Sequence, residues 1–201
     1  DARRAIIQKF DGDAFISFHV NSAPANSDAR GSEIYFVSER GAADIESEML
    51  AERENAAAGA SSELLAGDSD DQLSFLLLDL NKRNIINQSI QLALNLENAL
   101  KADNSKIRHI KCAPFTVLKT LRSPGVLIEI GFITNARDRK MFASDDELRD
   151  YAARVAAGLN SFYENTIKKI EFPFNSETGQ NNENIENPDK SGDNNFGNDN
   201  N

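Results

Sequence analysis

Two polar residues stand where strand-like apolar runs would ordinarily exclude them. His19 directly follows Ala14-Phe15-Ile16-Ser17-Phe18, which reads as a buried strand, and it opens a polar turn reaching Asn26 through Pro24. The carboxyl ends of strands in open α/β sheets are where ligands bind. A neutral imidazole at such a place suits zinc, and a hydrogen-bonded turn histidine is the other reading. Glu129 lies inside Val126-Leu127-Ile128-Glu129-Ile130-Gly131-Phe132. A carboxylate in a buried run is costly unless it is paired, protonated or bound to a metal. Burial would also raise its pKa toward the range useful for proton transfer. The alternative is a glutamate at the solvated end of a strand, next to Gly131.

Other chemistry-bearing residues carry weaker signals. His109, within Ile107-Arg108-His109-Ile110-Lys111, reads as a surface histidine in a basic stretch. The acidic runs Asp68-Ser69-Asp70-Asp71 and Asp145-Asp146-Glu147 lack the spacing of a calcium loop. The single Cys112 precedes an apolar run and reads as a buried structural thiol.

The elements that must position these residues alternate between strand and helix. Residues 1–10 carry helical spacing. Strands are expected at 14–18, 33–37, 115–118 and 126–130, the last entered through Pro124-Gly125. A long helix is expected over 38–58, a Gly/Ser/Asp linker over 59–71 and a short helix over 71–80. An amphipathic helix follows over 85–100, and a closing helix over 148–170 is capped by Ser144 or Asp145. Near-continuous apolar strands point to a sheet covered on both faces. The fold class is therefore α/β, with an open mixed or parallel sheet flanked by helices. After Phe174 the composition falls to Asn, Asp, Glu, Gly and Ser, and 171–201 reads as a disordered tail.

Composition narrows the function. The chain has 201 residues, 40 % of them apolar, and a formal net charge of −10. That balance, without a basic stripe, argues against a nucleic-acid partner. No apolar run approaches the roughly 20 residues of a membrane span.

Ser17-Phe18-His19-Val20-Asn21-Ser22 resembles the Ser-x-His-Ala-Asp/Asn signature of the zinc-dependent N-acetylmuramoyl-L-alanine amidases. Ile128-Glu129-Ile130-Gly131-Phe132-Ile133-Thr134-Asn135 resembles their Val-Glu-x-Gly-Phe-Ile/Leu-Ser/Thr-Asn signature. Gly31-Ser32-Glu33-Ile34-Tyr35-Phe36 and Phe115-Thr116-Val117-Leu118-Lys119 fit the blocks between them, so the likeness covers roughly residues 1–165. It implies a catalytic domain over 1–170 and hydrolysis of the amide between N-acetylmuramic acid and L-alanine in peptidoglycan. It also implies a Zn2+ cofactor, a periplasmic location, Glu129 as the catalytic glutamate and Asn21 on the substrate side. The family's zinc has two His ligands and one Glu ligand. Only His19 has a counterpart, and the expectation is that the other two ligands, with the first strand, belong to an upstream segment. A catalytically inert fragment, acting at most as a peptidoglycan-facing or regulatory module, is the alternative.

Residues 38–80 resemble the regulatory insertion of cell-separation amidases, whose helix blocks the site until an activator protein linked to the division machinery displaces it. At 100° per residue, Ile45, Met49, Glu52 and Ala56 share one stripe, and Glu54 points away from it. That stripe makes Glu52 the expected inhibitory zinc ligand, on the inward face of the helix.

Overall fold

The computed structural model describes residues 12–38, 41–57, 72–101, 107–119 and 123–168. The helix expected at 1–10, the 59–71 linker and the 171–201 tail lie outside the described residues.

Four strands form one mixed sheet: β1 (Phe15–Asn21), β2 (Ser32–Val37), β3 (Ile107–Ala113) and β4 (Gly125–Phe132), in the order β1-β4-β2-β3. β1 runs parallel to β4, β2 is parallel to β3, and β2 is antiparallel to β4. β4 is thus an inner strand, which accounts for its apolar run on both sides of Glu129. Four successive residues, Val126, Leu127, Ile128 and Glu129, are fully buried.

β1 extends three residues further than its apolar run suggests, so His19 lies within the strand and not in a turn after it. β3 has no counterpart among the expected strands, because its alternation of basic and apolar residues reads as a surface stretch. In the fold it is an edge strand, and His109 is exposed as expected. Cys112 is only half-buried, its thiol 3.9 Å from the Gly41 carbonyl, so the fully buried thiol is not found. The strand expected at 115–118 is instead a short 3₁₀ turn, Thr116–Leu118.

The helices divide between the two faces. α2 (Gln72–Lys101) runs through both helical patterns of the sequence without a break, and α4 (Asp145–Phe162) closes the domain. The Ser144 hydroxyl caps α4 by accepting from Glu147 N at 3.3 Å. Together α2 and α4 cover one face of the sheet around Ile34, Leu92, Leu96, Val126, Ile128, Val155 and Phe162. Their approach is close: a Cβ on Gly158 would lie 2.9 Å from the Leu96 backbone.

α1 (Ile45–Ala57) lies on the opposite face, where Leu50 and Ala51 pack with Tyr35, Phe115, Leu118 and Leu127. A short helix, α3 (Ala136–Phe142), follows β4 directly. Asn135 caps it through Arg137 N at 3.0 Å and Asp138 N at 3.4 Å, and its amide reaches Ser27 O at 2.7 Å. The buried Asp138 carboxylate accepts from Gly31 N at 2.9 Å and Phe132 N at 2.8 Å. These bonds tie the loop after β1 to the loop after β4, so both strand ends hold a fixed position. A side chain at Gly131 would collide with the same carboxylate, at 2.9 Å.

Candidate active site and metal centre

Strand register brings the site together. His19 pairs with Glu129 across β1 and β4, and Glu129 pairs with Glu33 across β4 and β2. Residues in register on adjacent strands project to the same face. A histidine and two carboxylates therefore stand in one row beneath α1.

Glu129 is fully buried, and among the described residues neither of its carboxyl oxygens has a hydrogen-bond partner. Burial pushes its pKa up to about 8; the charges of Glu54 and Glu33 add to this, and Arg53 opposes it. Glu33 is also buried. Its Oε2 accepts from Asn21 Nδ2 at 3.2 Å and from the Tyr35 hydroxyl at 3.0 Å, and Lys111 Nζ stands 3.9 Å from Oε1. Burial first, then the Glu33 carboxylate, drives the Tyr35 hydroxyl well above its usual range, so Tyr35 remains a donor.

α1 contributes the remaining polar groups. Its inward stripe is Ser47, Leu50, Ala51, Glu54 and Asn55, and this overturns the expected orientation. Ile45 and Met49 are 77 % and 65 % exposed, and Glu52 points to solvent with them. The physical reason is the lining of the helix. Two small residues, Ser47 and Ala51, let the backbone approach the sheet, and polar contacts fix its roll. Asn55 donates to Pro114 O at 3.1 Å and accepts from Thr116 N at 2.7 Å. Asp44 accepts from Ser47 N at 2.8 Å, and Lys111 holds Asp44 at 3.2 Å and Glu46 at 3.5 Å.

With that roll, Glu54 enters the site. Its Oε2 accepts from His19 Nδ1 at 2.8 Å, which leaves His19 Nε2 to accept from Ser17 Oγ at 3.0 Å. Arg53 spans the same edge, donating to Asn21 Oδ1 at 3.2 Å and Ser22 O at 3.3 Å. His19, Glu54 and Glu129 each offer one ligand atom, and these atoms lie within 4.8 Å of one another. One imidazole nitrogen and two carboxylate oxygens form a donor set that zinc accepts. Among the described residues, the Glu129 oxygens have no hydrogen-bond partner, so they are left to a proton, a water or a cation held beside them. The structure thus brings His19, Glu129 and Asn21 together and leaves Glu52 outside. Glu33, Arg53 and Glu54 are the site residues that sequence reasoning missed.

The family model for N-acetylmuramoyl-L-alanine amidase matches residues 1–161. The chain belongs to that family. Among curated relatives, AmiA of Escherichia coli is 30 % identical over 162 residues, which is 80 % of this chain and 55 % of AmiA. AmiC of Neisseria meningitidis is 25 % identical over 158 residues, covering 78 % of this chain and 37 % of AmiC. The chain spans about half the length of AmiA. Solved structures share the fold. The CwlD amidase from Clostridioides difficile, in complex with the GerS lipoprotein, has a TM-score of 0.52 at 18 % identity, covering 81 % of this chain and 60 % of that one. Ami1 of Mycobacterium smegmatis gives 0.50 at 18 %, covering 80 % and 58 %. No described helix is long and apolar enough to cross a membrane.

Proposed function

We propose that this amidase-family chain carries the catalytic face of a zinc-dependent hydrolase. It cleaves the amide between the lactyl group of N-acetylmuramic acid and the L-alanine of the stem peptide. The observation that carries the reading is the convergence of His19 and Glu54 on the fully buried Glu129 carboxyl group, which has no hydrogen-bond partner among the described residues. Zinc held there by His19 would polarise the scissile carbonyl and acidify the attacking water.

Glu129 accepts the proton of the water as its oxygen adds to the carbonyl carbon. It then delivers that proton to the alanine nitrogen as the C–N bond breaks. A carboxyl group with its pKa pushed to about 8 holds a proton readily at neutral pH, and a nearby cation would bring it down toward the poised range. Glu33 holds Asn21 at the end of β1 through the 3.2 Å hydrogen bond and adds charge beside Glu129.

Glu54 supports an autoinhibited form. It occupies the imidazole nitrogen that faces the cluster, and Arg53 seals the β1 end. α1 must move before substrate reaches His19, so an activator protein would act by displacing α1. Such a switch fits cell-wall cleavage during daughter-cell separation in the periplasm. The alternative is a catalytically inert module that acts at most as a peptidoglycan-facing or regulatory element.

The test uses dye release from labelled peptidoglycan and zinc stoichiometry. Both are measured on the chain and on a fusion supplying the family's upstream strand. His19→Ala should lose zinc and activity together. Glu129→Gln should lose activity by at least about a hundredfold, the usual contribution of general acid–base catalysis, while the fusion keeps its zinc. Full activity in Glu129→Gln would remove that residue from the chemistry. Inactivity of both the chain and the fusion would favour the inert reading.

A further inference from the structure

A second polar site lies beside the first. A cleft of about 610 Å³ opens where the loop after β1 meets the start of α3, and Arg30, Arg137 and Arg139 line it with Ser27, Thr134 and Asn135. Its size falls within the range of small-ligand sites, roughly 300–1,000 Å³. Asp28 is the only acidic residue in its lining. Among the described residues, Arg30 and Arg137 make no ion pair, and Arg139 is steadied by a 2.9 Å bond from Nη1 to Ile133 O. Three guanidinium groups outnumber the one carboxylate of the lining, Asp28, so the cleft is locally cationic in a chain of net charge −10 and favours an added anion.

The place of the cleft, next to the candidate site, points to an anion carried by the same substrate. Both strands of the candidate active site run into it: Asn21 follows His19 by two positions, and Thr134 follows Glu129 by five. Ile133 N donates to Asn21 O at 2.8 Å, and Ala23 N donates to Thr134 Oγ1 at 3.1 Å, so the two strand ends form a continuous wall. No residue of α1 lines the cleft. A stem peptide whose alanine amide lies at Glu129 extends at about 3.3–3.6 Å per residue, so its second and third residues reach roughly 7–11 Å beyond the scissile bond. Those residues bear free carboxylates, and the planar fork of arginine matches a carboxylate through two parallel hydrogen bonds.

We propose that Arg30, Arg137 and Arg139 form a carboxylate-recognition subsite that binds the acidic stem peptide downstream of the scissile amide. This rests on the amidase reading above for the identity of the peptide, and binding can be measured without turnover. The probes are the tripeptide L-alanyl-γ-D-glutamyl-diaminopimelate and its side-carboxyl amidated form, titrated calorimetrically into the full chain. The acid form should bind at least about tenfold more tightly than the amide, with an affinity that falls as salt rises. Arg30→Gln/Arg137→Gln, with an unchanged circular dichroism spectrum, should bring the two forms within about twofold. Arg137→Gln alone, an exposed position that leaves the fold intact, should lose part of the preference.

Glu129→Gln should retain the full preference, so loss of catalysis and loss of recognition are separable. If Glu129→Gln proves active while the arginine variants lose the preference, the amidase mechanism falls and the subsite stands. Equal affinity for acid and amide, or a preference that survives the double variant, overturns the subsite. Tighter binding of inorganic phosphate than of the acid peptide would make the cleft a phosphate site and also overturn it.

Discussion

The two faces of the sheet are built on opposite principles. Beneath α2 and α4, Ile34, Val126 and Ile128 meet Leu92, Leu96, Val155 and Phe162 in an apolar layer. Beneath α1, the same strands present Glu33 and Glu129 along with Tyr35 and Leu127. One face gains stability from every residue it buries. The other buries two carboxyl groups and the Tyr35 hydroxyl, groups that cost stability and that the proposed reaction would use or position. In a folded chain, stability and chemistry can therefore sit on alternate residues of a single strand: Ile128 serves one face and Glu129 the other.

The largest expected effect tests the structural face. Leu96 is fully buried between α2 and α4, where Gly158 already brings the helices into contact, so the layer has little room to collapse into a void. Leu96→Ala should cost about 2–5 kcal/mol in urea unfolding. A loss under 1 kcal/mol would mean that this layer is not the main core.

The second effect has the opposite sign. The Glu129 pKa is raised by burial from an ordinary value of 4.5 to about 8, so the folded metal-free chain holds a proton that the unfolded chain releases. Between pH 4.5 and pH 8 the unfolded state binds fewer protons, and stability must fall as pH rises through that window. Glu129→Gln removes the titration. It should flatten that part of the pH profile and stabilise the metal-free chain at pH 8 by about 1–3 kcal/mol. Zinc should erase most of the difference by supplying a countercharge. Unfolding curves at pH 5 and pH 8, with and without zinc, provide the check. Destabilisation by Glu129→Gln at pH 8 would contradict the idea that this face trades stability for function.

Much of this comparison was legible in the sequence, though unevenly. β4 announces itself because a lone carboxylate interrupts an apolar run, and α2 and α4 because long helices need an apolar stripe. The same rule would have found Glu33, which heads the run Ile34-Tyr35-Phe36-Val37 and is buried as Glu129 is. The roll of α1 was not legible. Its inward stripe consists of Ser47, Ala51, Glu54 and Asn55 around a single Leu50, so apolar periodicity picks the wrong side. β3 was missed because Lys111, which looks like a surface residue, is 10 % exposed and held by Glu33, Asp44 and Glu46. α3, a helix of only seven residues, is signalled by its Asn135 cap and not by any period.

A third test concerns Glu54. The closed form of α1 gains the 2.8 Å contact to His19, a charge-assisted hydrogen bond if the imidazole is protonated and an inhibitory ligand if zinc is bound. Contacts of that class contribute about 1.5–3 kcal/mol. Glu54→Ala should therefore raise activator-free peptidoglycan hydrolysis about tenfold or more in the fusion, if closure limits the rate. No rise, with zinc content intact, would remove Glu54 from the inhibitory contact.

The smallest expected effect provides the sharpest check on how α1 lies. Ile45, Met49 and Glu52 all face solvent, so replacing them removes neither a core contact nor an ion pair among the described residues. Surface changes of this kind stay within about 0.5 kcal/mol. Ile45→Gln/Met49→Gln should therefore leave urea unfolding nearly unchanged, and Glu52→Ala should leave basal hydrolysis at the level of the unaltered fusion. Leu50→Ala, one position from Met49 but buried against Tyr35 and Leu127, should cost clearly more than either. The order of these effects follows from the roll of the helix alone. A rotation of about 100° would exchange the two outcomes, because neighbouring residues on a helix are that far apart. If Met49 and Ile45 proved costly while Leu50 did not, α1 would present Glu52 inward, and the His19–Glu54 pairing would lose its foundation together with the inhibitory role drawn from it.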